Sequence, residues 1–446
     1  MGAGRACVVS VVLPILFGSQ TRHEVPPQAL DPRRSPAPEP RREHPTMLRP
    51  PQGDEAIVVT HALRTPIGKY LGAFADLSAA DLGAGLVSEL LARSGVHGAE
   101  VGEVIMGNGR QAGGGPNVAR QIAYRAGIAQ ETCAWTVNMA CGSGLKSILL
   151  GAEAIALGRA DIVVAGGVES MSGLPFFLPK FRTGYRLGHA DVVDAMYKDG
   201  FGCPLANMLM GETAEKLAQD LSISRAEQDE FALQSQRKAG AAIAAGRFRD
   251  EIVPVKVPSR KGEVVVDADE HARPDTTPES LAKLPAVFDK KNGTVTAGNA
   301  SGITDGAAAL LLMRAGEARK RGLEVLATLG PATQAGVDPR IMGIGPVPAM
   351  QALERKAGLK ADDFDLIELN EAFAAQVLAC HRQLPLPMER VNANGGSIAL
   401  GHPIGATGAR IVATLLHELK RRGGRRGLAT LCISGGMGLA VSFERK

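Results

Sequence analysis

The sequence predicts an α/β protein made of two similar halves, and three observations indicate this class. Short apolar strands alternate with helical segments along most of the chain, a pattern typical of a sheet covered by helices on both faces. Glycine accounts for 54 of the 446 residues and is spread along the chain, which indicates many tight turns between strands and helices. Three short strings also recur in the same order in both halves. These pairs are VIMGN (104–108) with LIELN (366–370), VNMACGSG (137–144) with VNANGGSI (391–398), and IVVAGG (162–167) with ATLCISGG (429–436).

Composition argues against several classes of protein. The chain carries 50 Lys and Arg against 46 Asp and Glu, and it lacks a basic stripe interleaved with aromatic residues, so we expect no nucleic-acid partner. The six cysteines form no C-x-x-C pair, so we expect no metal site and no thioredoxin-type chemistry. No apolar run reaches the roughly 18 residues of a membrane span. Sparse cysteines in a chain of this size favour a reducing, cytoplasmic compartment.

The first 46 residues differ from the rest of the chain. Residues 20–46 are rich in Pro and Arg, cannot bury a core and are predicted to form a disordered tail. Residues 7–17 are apolar enough for a signal peptide, although Pro14 interrupts them. A third interpretation is a start assigned too early, with Met47 as the true first residue. Organelle targeting by this tail therefore stays open.

The first half, residues 55–316, begins with regular α/β alternation. All of its predicted strands are apolar throughout, which is typical of a parallel sheet that is covered on both faces. Strands are predicted at 56–60, 104–107, 135–137 and 161–165, and helices at 80–91, 116–126 and after residue 144.

A more charged stretch from about 172 to 303 interrupts this alternation. It is predicted to be a loop-rich insertion or subdomain, with helices at 213–220 and 225–245 and strand character near 252–266. The α/β pattern resumes in the second half, residues 322–446. That half contains predicted strands at 364–369 and 428–433 and a predicted helix at 411–419.

Cys141 is the first candidate for chemistry. It lies at a strand-to-helix turn and is followed by Gly142-Ser143-Gly144. Helix N-terminal amides stabilise a thiolate, so this position is expected to lower the pKa of Cys141 and make it a nucleophile. The alternative is a buried structural cysteine.

Three further candidates are predicted to follow strands of the second half. His402 precedes Pro403 at a helix start, where a neutral imidazole is favoured and ready to accept a proton. Cys432 is followed by Ser434 and a glycine run whose amides are suited to an oxyanion hole. Asn370 also follows a strand and has a side chain suited to holding a water or a carbonyl. A helix cap explains His402 and Asn370 equally well, and a core position explains Cys432.

These motifs resemble those of the thiolases, in particular the acetyl-CoA acetyltransferase type, from about residue 55 to the end of the chain. The resemblance implies two duplicated α/β halves stacked in layers as α-β-α-β-α. It also implies an enzyme that reversibly condenses two acetyl-CoA molecules to acetoacetyl-CoA and CoA. The shared strings are RTPIGKYLGAF (64–74), the block around Cys141, AGGVESMS (165–172), TVTAGNASGITDGAAA (294–309), NEAFA (370–374), GHPIGATGAR (401–410) and CISGGMG (432–438).

The resemblance assigns a role to each candidate. Cys141 would carry the acyl group as a thioester, and His402 would activate Cys141 and later donate to a thioester oxygen. Cys432 would move a proton to and from the reacting carbon. Asn370 would hold a water in one oxyanion hole with His402, and the backbone amides of Cys141 and Ser434 would form the other.

The resemblance also implies a binding site for acyl-CoA, with CoA and its thioesters as substrates and no separate cofactor. It further implies a homotetramer built from dimers. Leu209 departs from the family pattern, because many acetoacetyl-forming members carry His there, and Ser434 stands where Gly is frequent. The implied CoA and substrate contacts are Arg273, Ser280, Ser301, Met210, Ala372 and Phe373.

Four alternatives accompany this interpretation. A degradative 3-ketoacyl-CoA thiolase acting on longer chains would share all the catalytic residues. A ketosynthase-like condensing enzyme usually replaces the second cysteine, so Cys432 argues against it. A Cys/His hydrolase has no use for Cys432. A non-catalytic relative that binds acyl-CoA or lipid would have no need for the four candidate residues Cys141, His402, Cys432 and Asn370 together.

Overall fold

One mixed β-sheet organises the protein, which the computed structural model describes at residues 47–48, 51–260 and 262–445. The predictions for residues 1–46 lie outside these described residues. The strands are β1 Met47–Leu48, β2 Ile57–Arg64, β3 Gly68–Lys69, β4 Glu103–Gly107, β5 Cys133–Val137, β6 Ile162–Glu169, β7 Phe176–Phe177, β8 Val193–Asp194, β9 Gly202–Cys203, β10 Met208–Leu209, β11 Val255–Ser259, β12 Gly262–Val266, β13 Thr304–Arg314, β14 Ala327–Gly336, β15 Leu366–Leu369, β16 Arg426–Ile433 and β17 Met437–Glu444.

Eleven α-helices accompany these strands within the described part of the chain. Several begin and end where the sequence supplies capping residues. Ser78 and Asp81 form a capping box before the first helix, for example, and Gly95 ends that helix in the left-handed region at φ 66°. The helices are α1 Ala79–Ser94, α2 Val118–Arg125, α3 Ser143–Ala156, α4 Met210–Asp220, α5 Arg225–Ala244, α6 Pro278–Ala282, α7 Ala315–Lys320, α8 Pro346–Ala357, α9 Ala374–Gln383, α10 Ser397–Leu400 and α11 Ile404–Arg422.

The strand order shows that the two halves are duplicates. The first half contributes β2-β13-β6-β4-β5 and the second contributes β14-β17-β16-β15, joined where β14 pairs with β2. Numbered along the chain with five positions in each half, the first order reads 1-5-4-2-3 and the second reads 1-5-4-2. In the second half Val391 bridges Ile367 in parallel and takes the place of the third strand. The repeated strings therefore occupy equivalent positions in one duplicated fold.

Helices α3 and α11 lie together between the two halves of the sheet. Their apolar side chains share one core with residues of β2, β6, β13, β16 and β17. Helices α1 and α2 cover the outer face of the first half, and α8 and α9 cover the outer face of the second. The predicted α-β-α-β-α layering is confirmed.

The prediction of a parallel sheet is confirmed for β4, β5 and β6 of the first half, and it is wrong for β2, which pairs antiparallel on both sides. Only the pairs β4–β5, β4–β6 and β15–β16 are parallel, and the long central strands pair antiparallel. The physical reason is that a strand buried on both faces is apolar throughout whichever direction its neighbour runs. Strand β13, for example, is buried along almost its whole length.

The segment between β6 and β13 reaches from the first half to the second. It contains α4, α5, α6, the hairpin β11–β12 and short two-residue strands. Helix α5 packs on the second half, where Ser235 donates to Glu371 and Lys238 donates to the Val391 carbonyl. In the described part of the chain, no helix is both long and apolar enough to cross a bilayer.

Candidate active site

Cys141 and His402 meet at the N-terminal ends of the two central helices. Cys141 lies two residues before α3, and His402 lies two residues before α11. The Sγ atom of Cys141 is 3.3 Å from Nε2 of His402. This distance is short enough for proton transfer from thiol to imidazole. His402 follows the short helix α10, so the prediction that every candidate follows a strand is wrong for this residue.

Glycines let these two helices approach backbone to backbone. A Cβ atom on Gly408 would lie 2.2 Å from the backbone nitrogen of Leu145, and one on Gly144 would lie 2.8 Å from that of Ala409. Either contact is too close for a real side chain. The glycines of the two motifs therefore set the distance between the helices that carry Cys141 and His402.

A hydrogen-bond chain fixes the tautomer of His402. Thr407 Oγ1 donates to the Pro403 carbonyl at 3.0 Å, which leaves the same oxygen to accept from His402 Nδ1 at 2.6 Å. With its proton on Nδ1, the neutral imidazole presents a bare Nε2 to Cys141. Nε2 is therefore able to accept the thiol proton.

Both partners are neutral in the resting site. Burial, aided by the positive charges of Arg410 and Arg110, lowers the pKa of His402 to about 3. Burial raises the pKa of Cys141, and Arg110 and the amides of Ser434 and Cys141 itself offset only part of that rise. The sequence prediction of a lowered pKa for Cys141 is wrong in net direction, because burial outweighs the helix terminus.

The turn that presents Cys141 holds a strained residue. Ala140 has φ 45°, in the left-handed region that a non-glycine residue seldom occupies. Asn138 Oδ1 accepts from the Ala140 amide at 2.9 Å, and Ser143 Oγ accepts from the Met139 amide at 2.8 Å. These bonds hold the strained turn and place the Cys141 thiol before α3.

A glycine turn between β16 and β17 faces Cys141 from the second half. Gly435 and Gly436 carry the positive φ values of this turn, 87° and 85°, whereas Ser434 does not. Serine is thus accommodated there without backbone strain. The Ser434 amide is directed at the Cys141 thiol, whose pKa it lowers.

Cys432 lies in β16 and is fully buried beside Met342 and Ala372. Burial, reinforced by the neighbouring Cys141 and Cys380 thiols, raises the pKa of Cys432 well above its ordinary value. Cys432 therefore rests as a thiol, and it is close enough to Cys141 that a thiolate on one of them disfavours ionisation of the other.

Asn370 is held in one orientation by a relay of side chains. Arg410 Nη2 donates to Ser397 Oγ at 2.8 Å, and Ser397 Oγ donates to Asn370 Oδ1 at 2.6 Å. The Nδ2 atom of Asn370 is buried and has no partner among the described residues. A buried amide with an unused donor is suited to hold a water molecule.

Two connected cavities serve this site. The inner cavity has a volume of about 240 Å³, and Cys141, His402, Ser434, Met210, Ala372 and Phe373 are among its lining residues. The outer cavity, of about 670 Å³, is bordered by Arg273, Ser280 and Ser301. Neither Cys432 nor Asn370 is part of the inner wall. The cavities share Val287, Phe288, Ala300, Ser301 and Ile303.

Three residues of the site were missed in the sequence. Thr407 orients His402, Ser397 orients Asn370, and Arg110 lines the inner cavity. Arg110 stands just beyond β4, at the same edge of the sheet as Cys141, so the rule that singled out Cys141 would also have found it. In residues 51–260 and 262–445, no group of three or more His, Cys, Asp or Glu side chains is placed to hold a metal ion.

Comparison with known proteins accounts for almost all of the described chain. The family model of the thiolase N-terminal domain matches residues 57–316, and that of the thiolase C-terminal domain matches residues 323–445. The chain belongs to the thiolase family.

Relatives of this thiolase include acetyl-CoA acetyltransferases and a 3-ketoacyl-CoA thiolase. An acetyl-CoA acetyltransferase of Pseudomonas aeruginosa is 52% identical over 390 residues, which cover 87% of this chain and 99% of the relative. The crystal structure of the Bacillus anthracis acetyl-CoA acetyltransferase superposes with a TM-score of 0.85 at 46% identity, covering 87% of this chain and 98% of that one. That of human mitochondrial 3-ketoacyl-CoA thiolase gives 0.84 at 44% identity, covering 88% and 99%.

Proposed function

We propose that this thiolase catalyses the reversible Claisen condensation of two acetyl-CoA molecules to acetoacetyl-CoA and CoA. The observation that carries the proposal is the 3.3 Å contact between the Cys141 thiol and the bare Nε2 of His402 at the wall of the inner cavity. The acetyl-CoA acetyltransferase relatives support the same activity. The protein is thus an enzyme of the acyltransferase class.

Acylation begins with proton transfer from Cys141 to His402. The thiolate attacks the carbonyl carbon of acetyl-CoA, and the amides of Cys141 and Ser434 stabilise the negative oxygen that forms. The carbon–sulfur bond to CoA then breaks, and Cys432 gives its proton to the departing CoA thiolate. The acetyl group remains on Cys141, with His402 protonated and Cys432 as a thiolate.

Condensation uses the charges left by acylation. The Cys432 thiolate removes a proton from the methyl group of the second acetyl-CoA. Protonated His402 and a water on Asn370 stabilise the enolate oxygen. The carbanion attacks the thioester on Cys141, a carbon–carbon bond forms, and the carbon–sulfur bond to Cys141 breaks. His402 returns its proton to Cys141, so the site regains its resting state without any cofactor.

The two cavities give acyl-CoA a route to these groups. Arg273, Ser280 and Ser301 border the outer cavity, which would take the CoA moiety. Met210, Ala372 and Phe373 line the inner cavity, which would take the thioester end. The shared wall residues make one path from the surface to Cys141.

A second candidate is the degradative cleavage of longer 3-ketoacyl-CoA chains. The observation that favours it is Leu209, an apolar residue in the wall of the inner cavity, together with Phe288. An apolar wall binds an alkyl chain without leaving a polar group unpaired.

We further propose a homotetramer in a reducing, cytoplasmic compartment. Apolar side chains exposed in the loop after β6 support an interface, because Phe176, Phe181 and Leu187 are 64%, 72% and 100% exposed. The described cysteines are all free, which supports a reducing compartment. Light scattering of the purified protein tests the tetramer.

The rates of thiolysis of acetoacetyl-CoA and 3-oxooctanoyl-CoA test the proposed activity. The first function predicts a kcat/KM for acetoacetyl-CoA well above that for the longer substrate, in buffer without added cofactor. Comparable or higher rates on the eight-carbon substrate would establish the degradative type. A protein with no activity on either substrate would contradict both.

A further inference from the structure

The inner cavity contains a buried cation to which the proposed reaction assigns no contact with substrate. Arg110 is only 8% exposed and lines this cavity together with Cys141 and His402. Acetyl-CoA acetyl groups carry no charge that would require a guanidinium. Burying a guanidinium is costly unless it is paired, so its presence beside the reacting groups calls for a partner.

The hydrogen-bonding capacity of Arg110 is largely unused. Its Nη1 atom donates to the neighbouring Gly109 carbonyl at 3.1 Å, and its Nε atom is buried without a partner among the described residues. Its Nη2 atom likewise makes no hydrogen bond within that part of the chain. Because Nε is buried against Gly200, the N–H donors of Nη1 and Nη2 are the ones available to a bound ligand.

The neighbouring carboxyl group of Glu169 does not take up these donors. Its carboxylate oxygens instead accept from the Asn108 side chain and from the backbone amides of Gly109, Arg110 and Gly405, at 2.6–3.1 Å. Glu169 thus partly balances the charge of Arg110 through space and leaves its side-chain N–H groups free.

The neighbouring π-helical turn makes room for this guanidinium. Gly200 lies in the turn Tyr197–Phe201, and a Cβ atom there would come within 2.7 Å of Arg110 Nε. Tyr197 and Phe201 of the same turn line the inner cavity. A larger residue at 200 would push the guanidinium away, so two distant segments together keep a cation at this wall.

We infer that Arg110 is a specificity-determining residue that binds a carboxylate at the far end of the acyl group carried by Cys141. This inference rests on the proposed thiolase reaction and names its substrate class: 3-ketoacyl-CoA thioesters whose short acyl chain ends in a carboxylate. A planar guanidinium pairs with a carboxylate through two parallel hydrogen bonds.

The size of the inner cavity agrees with such a substrate. Its 240 Å³ corresponds to about eight water molecules at roughly 30 Å³ each, which is ample for a four-carbon acyl group beside the end of the pantetheine arm. Arg110 also borders a separate cavity of about 80 Å³ that does not contain Cys141. Arg110 and Cys141 line the inner cavity together, whereas Cys141 is not part of the wall of the smaller one.

The reaction of such a substrate balances without any further reactant. Cys141 attacks the 3-keto carbon of 3-oxoadipyl-CoA, the bond between carbons 2 and 3 breaks, and carbon 2 takes a proton to release acetyl-CoA. The carboxylate-ended acyl group remains on Cys141 until CoA removes it as a new thioester.

The test compares 3-oxoadipyl-CoA with 3-oxohexanoyl-CoA, which has the same chain length and no charge at its end. We expect the full chain to show a kcat/KM ratio of about 10 to 100 in favour of 3-oxoadipyl-CoA, the range that hydrogen bonds to a charged group provide. Arg110→Leu should bring the ratio below one. Arg110→Lys should give an intermediate ratio, because ammonium offers charge without the paired geometry.

Gly200→Ala is an independent variant, because it keeps Arg110 but displaces its guanidinium. It should also lower the kcat/KM ratio of 3-oxoadipyl-CoA to 3-oxohexanoyl-CoA. A full-chain ratio near or below one would overturn the inference even if the variants fail to fold. So would an equal loss on both substrates in Arg110→Leu, which would mean that Arg110 serves only the Cys141 thiolate. Activity on neither substrate, nor on acetoacetyl-CoA, would refute the proposed function itself.

Discussion

At the scale of single residues, Thr407 decides which nitrogen of His402 faces the nucleophile. Its hydroxyl donates to the Pro403 carbonyl and accepts from Nδ1, so Nε2 is left bare. This arrangement places Nε2 of His402 as an acceptor beside the Cys141 thiol without a buried carboxylate to orient the imidazole. A neutral dyad of this kind creates charge only when substrate is present to be attacked.

Removing this hydroxyl should slow acylation. Thr407→Val keeps the shape of the side chain but lets the imidazole adopt the other tautomer. We expect kcat/KM for thiolysis to fall about tenfold, which corresponds to roughly 1.4 kcal/mol, the size of one hydrogen bond. Thr407→Ser, which retains the hydroxyl, should remain near the original value. Equal losses in the two variants would contradict the orienting role.

Ser397 plays the corresponding part for Asn370. Without the Ser397 hydroxyl, the Asn370 amide is free to flip and its Nδ2 donor is no longer directed at the water site. Ser397→Ala should therefore lower kcat for condensation about fivefold to tenfold with little change in KM. In a variant that already carries Asn370→Ala, the same change should cost nothing more. Losses that multiply in the double variant would show that Ser397 acts independently of Asn370.

At the scale of elements, the contact between α3 and α11 positions the site. Gly144 and Gly408 allow the two helix backbones to touch, and Gly167 of β6 brings its strand equally close to Gly405. The residues that precede the two helices are thereby brought within proton-transfer distance. Activity should consequently depend on glycines that contact no substrate.

Gly408→Ala tests this dependence. The added methyl group would collide with the backbone of Leu145, and the helices would have to separate. We expect a loss of about 1–3 kcal/mol in the free energy of unfolding and a fall in kcat/KM. Gly85→Ala in α1 is the matched control, because a Cβ there meets open space. That variant should be more stable by about 0.4–1 kcal/mol and fully active, as measured by urea denaturation and thiolysis.

Elements with local signals were predictable from the sequence, and others were not. Helix α5 was predicted at 225–245 and is observed at Arg225–Ala244, since Ser224 and Glu227 mark its start with a capping box. Strand β14 was missed because it contains Gly330 and Pro331, around which its pairing with β17 shifts register. Strand β17 begins at the glycine turn, which conceals it in the sequence.

Contacts between distant segments explain what the sequence analysis missed within the site. Cys141 and His402 stand at helix starts with local signatures, and the structure brings them to 3.3 Å. Ser397 carries no such signature, and the position of Arg110 beyond β4 does not reveal its surroundings, because these depend on contacts with Asn370 and Gly200, which are distant in the sequence. Only the folded chain reveals those pairs.

At the scale of the whole molecule, the buried site should make stability depend on pH. The pKa of His402 is lowered from its ordinary 6.5 to about 3 in the folded state. Between these values the unfolded chain binds the proton and the folded chain does not. The contribution of the unprotonated His402 to the free energy of unfolding is therefore fully present above pH 6.5, and it is lost as the pH falls toward 3.

Substituting His402 should reduce the loss of stability that occurs at acid pH. Between pH 6.5 and pH 4, the free energy of unfolding should fall less steeply for His402→Asn than for the original protein. The two slopes should differ by about 1 kcal/mol per pH unit. Urea denaturation at several pH values measures both slopes. The same substitution at the exposed His189 provides the comparison for loss of a surface histidine. Parallel slopes for the His402 variant and the original protein would contradict the buried neutral imidazole.

The most direct test of the central claim is the intact mass of the protein after brief exposure to acetyl-CoA. The proposed mechanism predicts an added acetyl group that maps to Cys141 and is absent from Cys141→Ala. Cys432→Ser should still acquire the group but release it poorly to CoA, because its proton carrier is lost. An acetyl group retained by Cys141→Ala, or normal turnover in Cys432→Ser, would contradict the mechanism.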